Sequence, residues 1–565
     1  MSEKMKRAFA FTAIILGFFM ALLDTTIVNI ALPEMRTYFG GGVAEISWVM
    51  NGYNLAFAVF ILTASRLADQ FGRRKVFLIG ITLFTVSSLL AGFAPSLEVL
   101  IGLRVIQGLA GAIIVPVTIP LTTTTFPKEM HGIIIGIWGA VSGLAAASGP
   151  ALGGVLTENL DWKWIFFVNV PLGVLSLILT PIFIRESKDV SAGRRVDLAG
   201  TLFITGSMFC FVYGLIRVDD WGWTSSAVLL LFAAGLLSLL LFLYAERKGA
   251  EPMLPLELMK IKAFNGAALT LLIVGAGLMN ISLLTTFFMT RIMGMTELKA
   301  GLILSMLAIG STLTSAVSGP LSGKFGSRWF AAGGVVVMAG ATYSLGGLTS
   351  ASPVSGILLR LALAGIGIGL TMAPVMSAAV RNVPEEKVGI SSGVINMTKA
   401  LGSVLGVAII VTALQQNLDD KVGAARSSAV QVVRNDAKLL PPVKEALMAS
   451  LQGAGSGGSA EAASLPSPES AAAAVGSQLR AAASKLAPEE RAVLEQSAQG
   501  QMRETEAVVD RIGREMKEAA VKGFSRTFAL AGLLLLPGIP FALISDRARR
   551  RSEGGIPAAE KGTLL

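Results

Sequence analysis

Charge is scarce in this chain. Of 565 residues only 15% are Asp, Glu, Lys or Arg, where a soluble domain carries about 25%. With 53% hydrophobic residues and a mean hydropathy of +0.67, so much apolar surface calls for lipid as a second solvent. The single cysteine, Cys210, excludes a disulfide within the chain and leaves the redox compartment unreadable. The single histidine, His131, excludes a His-rich metal site and any Ser/His/Asp arrangement away from its loop edge. No GxxxxGK[ST] phosphate loop occurs, so neither nucleotide hydrolysis nor another enzymatic activity is expected, and energy should come from the proton gradient. No cofactor and no metal are expected.

What the chain has instead is long apolar runs. A spanning helix needs about 20 mostly apolar residues. Fourteen such runs are read near 8–32, 46–68, 76–94, 97–120, 132–156, 164–184, 198–217, 226–245, 264–287, 300–319, 330–349, 355–379, 390–413 and 524–545. The first is long enough to stay in the membrane, so no cleavable leader is needed. The expected fold class is therefore an all-α membrane protein with 14 transmembrane helices.

Basic residues in the connections orient the spans. With the N-terminus inside, the inner segments carry 24 Lys and Arg, among them Arg73, Arg74 and Lys75, against five outside: Arg36, Lys163, Arg217, Arg291 and Lys299. Both termini are expected in the cytoplasm. The net charge of +10 then faces anionic lipid heads rather than nucleic acid. Residues 414–523 break the pattern, being polar, long and near neutral with 13 basic and 14 acidic residues. Their flanks, near 428–450 and 477–522, read as a helical hairpin outside the membrane. Gly453 to Val475 reads as a flexible connector between them.

The chain also repeats itself. Ser65-Arg-Leu-Ala-Asp-Gln-Phe-Gly-Arg-Arg74 aligns without a gap on Gly319-Pro-Leu-Ser-Gly-Lys-Phe-Gly-Ser-Arg328. Arg104 is echoed by Arg360, and Gly149 and Gly153 by Gly402 and Gly406. Two six-helix repeats with two inserted central helices follow. The expected divisions are 1–190 for the first half, 191–262 for the inserted pair, 263–413 for spans 9–13, 414–523 for the extracytoplasmic insert, and 524–565 for span 14 and the tail. Parallel halves around a central cavity suit alternating access with substrate near the midplane.

These residues resemble the major facilitator superfamily, in particular its 14-span drug:proton antiporters. Leu23-Asp-Thr-Thr-Ile-Val-Asn-Ile-Ala-Leu-Pro33 is similar to the first-span signature of that family. Leu67-Ala-Asp-x-x-Gly-Arg-Arg74 resembles the loop motif after span 2, Arg104-x-x-Gln-Gly-x-x-Gly111 the span-4 motif, and Gly149-Pro-x-x-Gly-Gly154 the span-5 motif of antiporters. Trp162-Lys-Trp-Ile-Phe-Phe-Val-Asn-Val-Pro171 is also familiar from that family. The likeness covers 1–413 and 524–545. It departs from the family pattern at Ser65, Gln70, Ala145 and Gly323, and in the long 414–523 insert. It implies a multidrug efflux permease of the bacterial cytoplasmic membrane.

Charges inside a membrane are costly and mark functional candidates. Asp24 and Arg104 both lie roughly 11–12 Å below the outer surface, at 1.5 Å per residue. They are expected to meet, with Asp24 carrying the transported proton and Arg104 holding it ionised. Asp69, Gly72, Arg73 and Arg74 form the conformational motif, where Asp69 is expected to cap the next helix and pair with a nearby base. Gly149, Pro150, Gly153 and Gly154 give span 5 a kink and a smooth face. Candidates for lining the cavity are Asn29, Asn51, Tyr53, Asn54, Trp138, Asn280, Asn396, Met397 and the buried base Lys399. Spans 9–14 contain no convincing intramembrane acid, so a low proton stoichiometry is expected and strongly dicationic substrates are disfavoured.

The function expected is export of amphiphilic drugs or toxic metabolites in exchange for protons. Two alternatives stand beside it. One is a dedicated exporter of a single lipid, siderophore or antibiotic. The other is a non-transporting scaffold or sensor. Expected partners are small amphiphiles and membrane lipids, with a periplasmic adaptor protein engaging 414–523 as a further partner.

Overall fold

The computed structural model describes residues 2–546, except 41–42, 128–129, 189–196, 249–253, 255–256 and 454–487. Among the described residues every regular element is helical. In chain order the helices are α1 (Glu3–Phe39), α2 (Val43–Phe71), α3 (Arg73–Ala91), α4 (Leu97–Thr125), α5 (His131–Asn159) and α6 (Trp164–Phe183). Next come α7 (Leu198–Trp221), α8 (Ser226–Lys248), α9 (Lys262–Phe287, extended by a π turn at Phe288–Ile292), α10 (Glu297–Phe325), α11 (Ser327–Leu345), α12 (Val354–Arg381) and α13 (Val388–Asn435). Last are α14 (Pro441–Gly453), α15 (Pro488–Leu535) and α16 (Gly538–Ile544).

Thirteen of the described helices are long and apolar enough to cross a membrane. The sequence led us to expect fourteen. The difference is α11, a helix of 19 residues with Ser327, Arg328 and Trp329 at one end and Thr342, Tyr343 and Ser344 at the other. It packs against α12, α15 and α16.

Several helix starts are written locally. Ser96 caps α4 by accepting from Val99 N at 3.4 Å, and Asp197 caps α7 by accepting from Gly200 N at 2.8 Å. Thr296 does the same for α10 through Lys299 N at 3.3 Å. Lipid gives no hydrophobic drive between helices, so close approach depends on small residues. A Cβ on Gly108 of α4 would strike the Tyr53 backbone of α2, and one on Gly365 of α12 would strike the Leu307 backbone of α10.

The two sets of helices repeat in shape and in chemistry. α2 and α10 are both 29 residues long, and α3 and α11 are both 19. Each α2-type helix turns into its successor at a glycine of positive φ, Gly72 at 115° and Gly326 at 86°, a conformation that side chains with a Cβ rarely adopt. In each set an acid from beyond the sixth helix satisfies the start of the third. Glu186 accepts from Arg74 N at 2.9 Å and Lys75 N at 3.2 Å. Asp546 accepts from Ser327 N at 2.7 Å and from Arg381 at 3.3 Å. The expectation that Asp69 caps the next helix is thus corrected: Glu186 caps it, and Asp69 is engaged elsewhere.

Between the sets the contacts are exchanged pairwise. α5 packs on α10, and α2 packs on α13. The inserted helices α7 and α8 pack on each other, and α7 lies over the α2–α13 seam. Thr205 of α7 meets Thr63 of α2 at 3.3 Å, and Trp223 just beyond α7 donates to Thr412 of α13 at 3.0 Å. The outward face of α8, with Leu230, Leu237 and Leu240 exposed, is the apolar surface a bilayer covers.

A boundary at 413/414 is not a break in the chain's path. α13 runs for 48 residues from Val388 to Asn435, and α15 runs for 48 from Pro488 to Leu535. Each is a spanning segment continued as an extramembrane helix. They pack on each other through Leu414, Leu418, Val422, Val509, Ile512 and Met516. α14 closes the hairpin, where Gln501 donates to Lys438 O at 2.7 Å and accepts from Leu440 N at 2.8 Å. The connector expected after Gly453 lies outside the described residues.

Candidate functional site

Asp24 is fully buried on α1 and Arg104 nearly so on α4, at 0% and 1% exposure. Arg104 Nη1 donates to Asp24 Oδ2. A buried pair needs further hydrogen bonds to offset desolvation, and this one has them. Gln107 Nε2 and Asn169 Nδ2 each donate to Asp24 Oδ1 at 3.2 Å. Arg104 Nε donates to Val49 O at 3.0 Å, and Nη1 also donates to Gln107 Oε1 at 2.8 Å. Its guanidinium lies 4.4 Å from the Tyr53 ring centroid, a cation–π contact. Tyr53 is itself fixed by donating to Ala21 O at 3.0 Å. Four residues from three helices, Arg104, Gln107, Asn169 and Tyr53, thus surround the one carboxylate on α1.

Gln107 and Asn169 were absent from the sequence-derived site. Gln107 is one turn beyond Arg104 on the same helix face, a signal that was available. Asn169 stands in the Trp162–Pro171 stretch that resembles the family, but as one neutral amide in an apolar run it gave no sign of meeting Asp24. Its Nδ2 also donates to Ser88 Oγ at 3.2 Å, while its Oδ1 is buried without a partner.

The second set has the scaffold without this chemistry. Arg360 occupies the position matching Arg104, but among the described residues its side chain donates only to Gly356 O of its own helix, from Nη1 at 3.3 Å. Leu307 stands where Tyr53 would be.

The glycine motif of α5 is wedged between α1 and α10. Cβ atoms on Gly149 and Gly153 would collide with Thr26 and Ile27 of α1. On the other side Pro150 lies against Gly301 and Gly154 against Leu298, both on α10. The α5–α10 contact continues down to Gly139 beside Ser315 and Gly136 beside Pro320, and Thr312 donates to Ala140 O at 3.0 Å. The run from Gly136 to Gly154 is about 27 Å of helix.

Asp69 accepts from Arg73 Nε at 2.8 Å, and Arg73 Nη2 lies 2.8 Å from the same carboxylate oxygen as an ion pair. Its carboxylate also sits against Gly389, in the first turn of α13, where a Cβ has no room. A carboxylate is favoured there by the partial positive charge of the helix start. Ser65 adds a bond across the same seam, donating to Gly389 O at 2.7 Å. Arg74 reaches Ile184 O at 3.2 Å.

The cavity candidates separate into two groups. Trp138 is buried, stacks on Phe18 with centroids 4.3 Å apart, and donates to Thr118 at 3.1 Å. Asn396 donates to Ser392 O at 2.9 Å on its own helix. Tyr53 is committed to the Asp24 cluster. These three are held by packing. Asn51, Asn54, Met397 and Lys399 keep accessible surface, Asn29 is exposed, and Asn280 is buried with its side-chain oxygen unpartnered.

A model of the Major Facilitator Superfamily matches residues 14–407. The chain belongs to the Major Facilitator Superfamily. It is thereby a multi-pass membrane transporter. It is 35% identical over 405 residues to the multidrug resistance protein Stp of Mycobacterium tuberculosis, covering 71% of this chain and 74% of that protein. It is 30% identical to the tetracenomycin C resistance and export protein of Streptomyces glaucescens, covering 72% and 76%. It is 32% identical to the puromycin resistance protein pur8 of Streptomyces alboniger, covering 72% and 82%. The crystal structure of the human organic anion transporter MFSD10 superposes with a TM-score of 0.54 at 14% identity, covering 72% of this chain and 93% of that one; this likeness concerns the fold.

Proposed function

We propose that this transporter exports amphiphilic drugs or toxic metabolites in exchange for protons, by alternating access across a bacterial cytoplasmic membrane. The observation that carries this reading is Asp24, a carboxylate deep in the spanning region whose partners are all neutral or positive. Such a group is ready to exchange a proton when substrate or proton displaces Arg104. The names of the relatives support drugs and antibiotics as cargo. In this reading the chain crosses the membrane fourteen times, counting α11, with both termini in the cytoplasm. Expression in a drug-sensitive bacterium tests it. Resistance to several unlike amphiphiles is expected, and resistance to one compound alone would favour a dedicated exporter.

Alternating access assigns work to the Asp69 seam. Its contacts to α13 close the face expected to be cytoplasmic, so that face must open for substrate to enter. A Cβ on Gly393 would lie 2.6 Å from that of Ser65, closer than the roughly 3.8 Å of a disulfide. With Cys210 replaced, the pair Ser65→Cys and Gly393→Cys is expected to cross-link after slight relaxation of the seam. Transport should stop on oxidation and recover on reduction. Full transport with the bridge formed would show that this seam does not open.

A further inference from the structure

We infer that Lys399 is the recognition group for an acidic substituent on the substrate, so that the cargo of this transporter includes amphiphilic carboxylates, or other monoanions, bound near the membrane midplane. The inference rests on the exporter reading above.

Lys399 stands 11 residues into α13, which begins at Val388, hence about 16 Å from that membrane face. Asp24 is eight residues from Leu32, the far end of its span, or about 12 Å from the opposite face. In a hydrocarbon layer of about 30 Å both lie in the middle third. Lys399 sits amid dense protein, and the residue is half-buried rather than exposed. We read that combination as a position on an internal space rather than on lipid.

Nothing among the described residues neutralises it. Among the described residues its ammonium makes no ion pair and no hydrogen bond, and only its carbonyl is engaged, by Ser403 at 3.1 Å. α9, the membrane part of α10, α11, α12 and the membrane part of α13 contain no Asp or Glu beyond Glu297 at the start of α10. The Asp24 carboxylate is already engaged by Arg104, Gln107 and Asn169. That cluster is close to neutral as a whole, so Lys399 leaves the midplane with an uncompensated positive charge, in addition to that of Arg360 nearer the start of α12. An intramembrane cation without a partner is costly and is retained where it meets a ligand or ion. Gly275 of α9 lies against the Lys399 carbonyl, where a Cβ has no room. Close packing therefore fixes the backbone, while the flexible side chain stays free to meet an anion.

The test uses the full-length chain purified in detergent and a matched pair of probes, dansyl-phenylalanine and its methyl ester, followed by dansyl fluorescence. The parent is expected to bind the acid at least about tenfold tighter than the ester, the scale of one charge-assisted hydrogen bond. This ratio requires no variant. Lys399→Gln should bring it near one, and Lys399→Arg should keep it. A parent that favours the ester, or a ratio unchanged in Lys399→Gln, would overturn the inference. Ethidium efflux from cells tells its failure apart from that of the underlying reading. Ethidium efflux without acid preference removes the anion site alone. A parent that moves ethidium and every other compound in a broad panel no faster than background removes the exporter itself.

Discussion

Asp24→Asn is expected to abolish uphill export while leaving the protein in the membrane. The amide is nearly isosteric and keeps an oxygen for Gln107 and Asn169, so the cluster keeps its shape. It can no longer bind and release a proton, and Arg104 loses its countercharge. Breaking a buried pair by removing one partner costs about 3–5 kcal/mol, so thermal stability in detergent should fall too. The double variant Asp24→Asn with Arg104→Gln removes the stranded charge and is expected to regain stability without regaining uphill export. Uphill efflux from cells and the melting temperature of the purified protein check both parts. Uphill efflux retained by either variant would move coupling away from Asp24.

The second large effect concerns shape. Gly149→Val places two methyl groups where Thr26 Oγ1 already leaves no room and Ile27 N is 2.9 Å from a hypothetical Cβ. The neighbours are the Thr26 side chain, whose Cβ is fixed to the helix, and the α1 backbone at Ile27, neither of which can swing aside as a long side-chain tip can. Overpacking typically costs about 1–3 kcal/mol. Here it also pushes α1, and Asp24 with it, away from the helix that borders the other half. Export is expected to fall to background even if the protein still reaches the membrane. Gly153→Val, against Ile27 O at 2.9 Å, should behave alike. A control at Gly102, with open space around it, should export normally. Efflux compared at matched membrane abundance is the measurement. Normal export by Gly149→Val would make this surface mere packing.

Asp24 and Arg104 were legible in the sequence because charge in an apolar run is expensive, and two opposite charges at similar depth imply each other. The repeat was legible through the Phe-Gly-x-Arg turns at 71–74 and 325–328, because a positive-φ turn restricts which residues can stand there. Other features depend on contacts between distant positions. Glu186 and Asp546 look like ordinary charges beyond a span, and only folding brings them to the starts of α3 and α11. Gly389 is one of 62 glycines until Asp69 is seen against it. The reach of α13 to Asn435 was hidden for another reason. Falling hydropathy marks where a helix leaves lipid, not where it ends, and 414–435 holds no proline and a single glycine, Gly423, to stop it. α11 shows the converse, a helix whose polar ends put it below the apolar average of its neighbours.

The central claim is that substrate export and proton entry are one exchange through Asp24. The most direct measurement reconstitutes the full chain in liposomes holding a trapped pH indicator, then adds ethidium or dansyl-phenylalanine without an imposed gradient. Substrate entering through protein of either orientation should drive protons out, so the parent should raise the internal pH on addition of substrate and Asp24→Asn should not. Substrate movement in the parent without any proton movement, or an equal pH response in Asp24→Asn, would contradict the account.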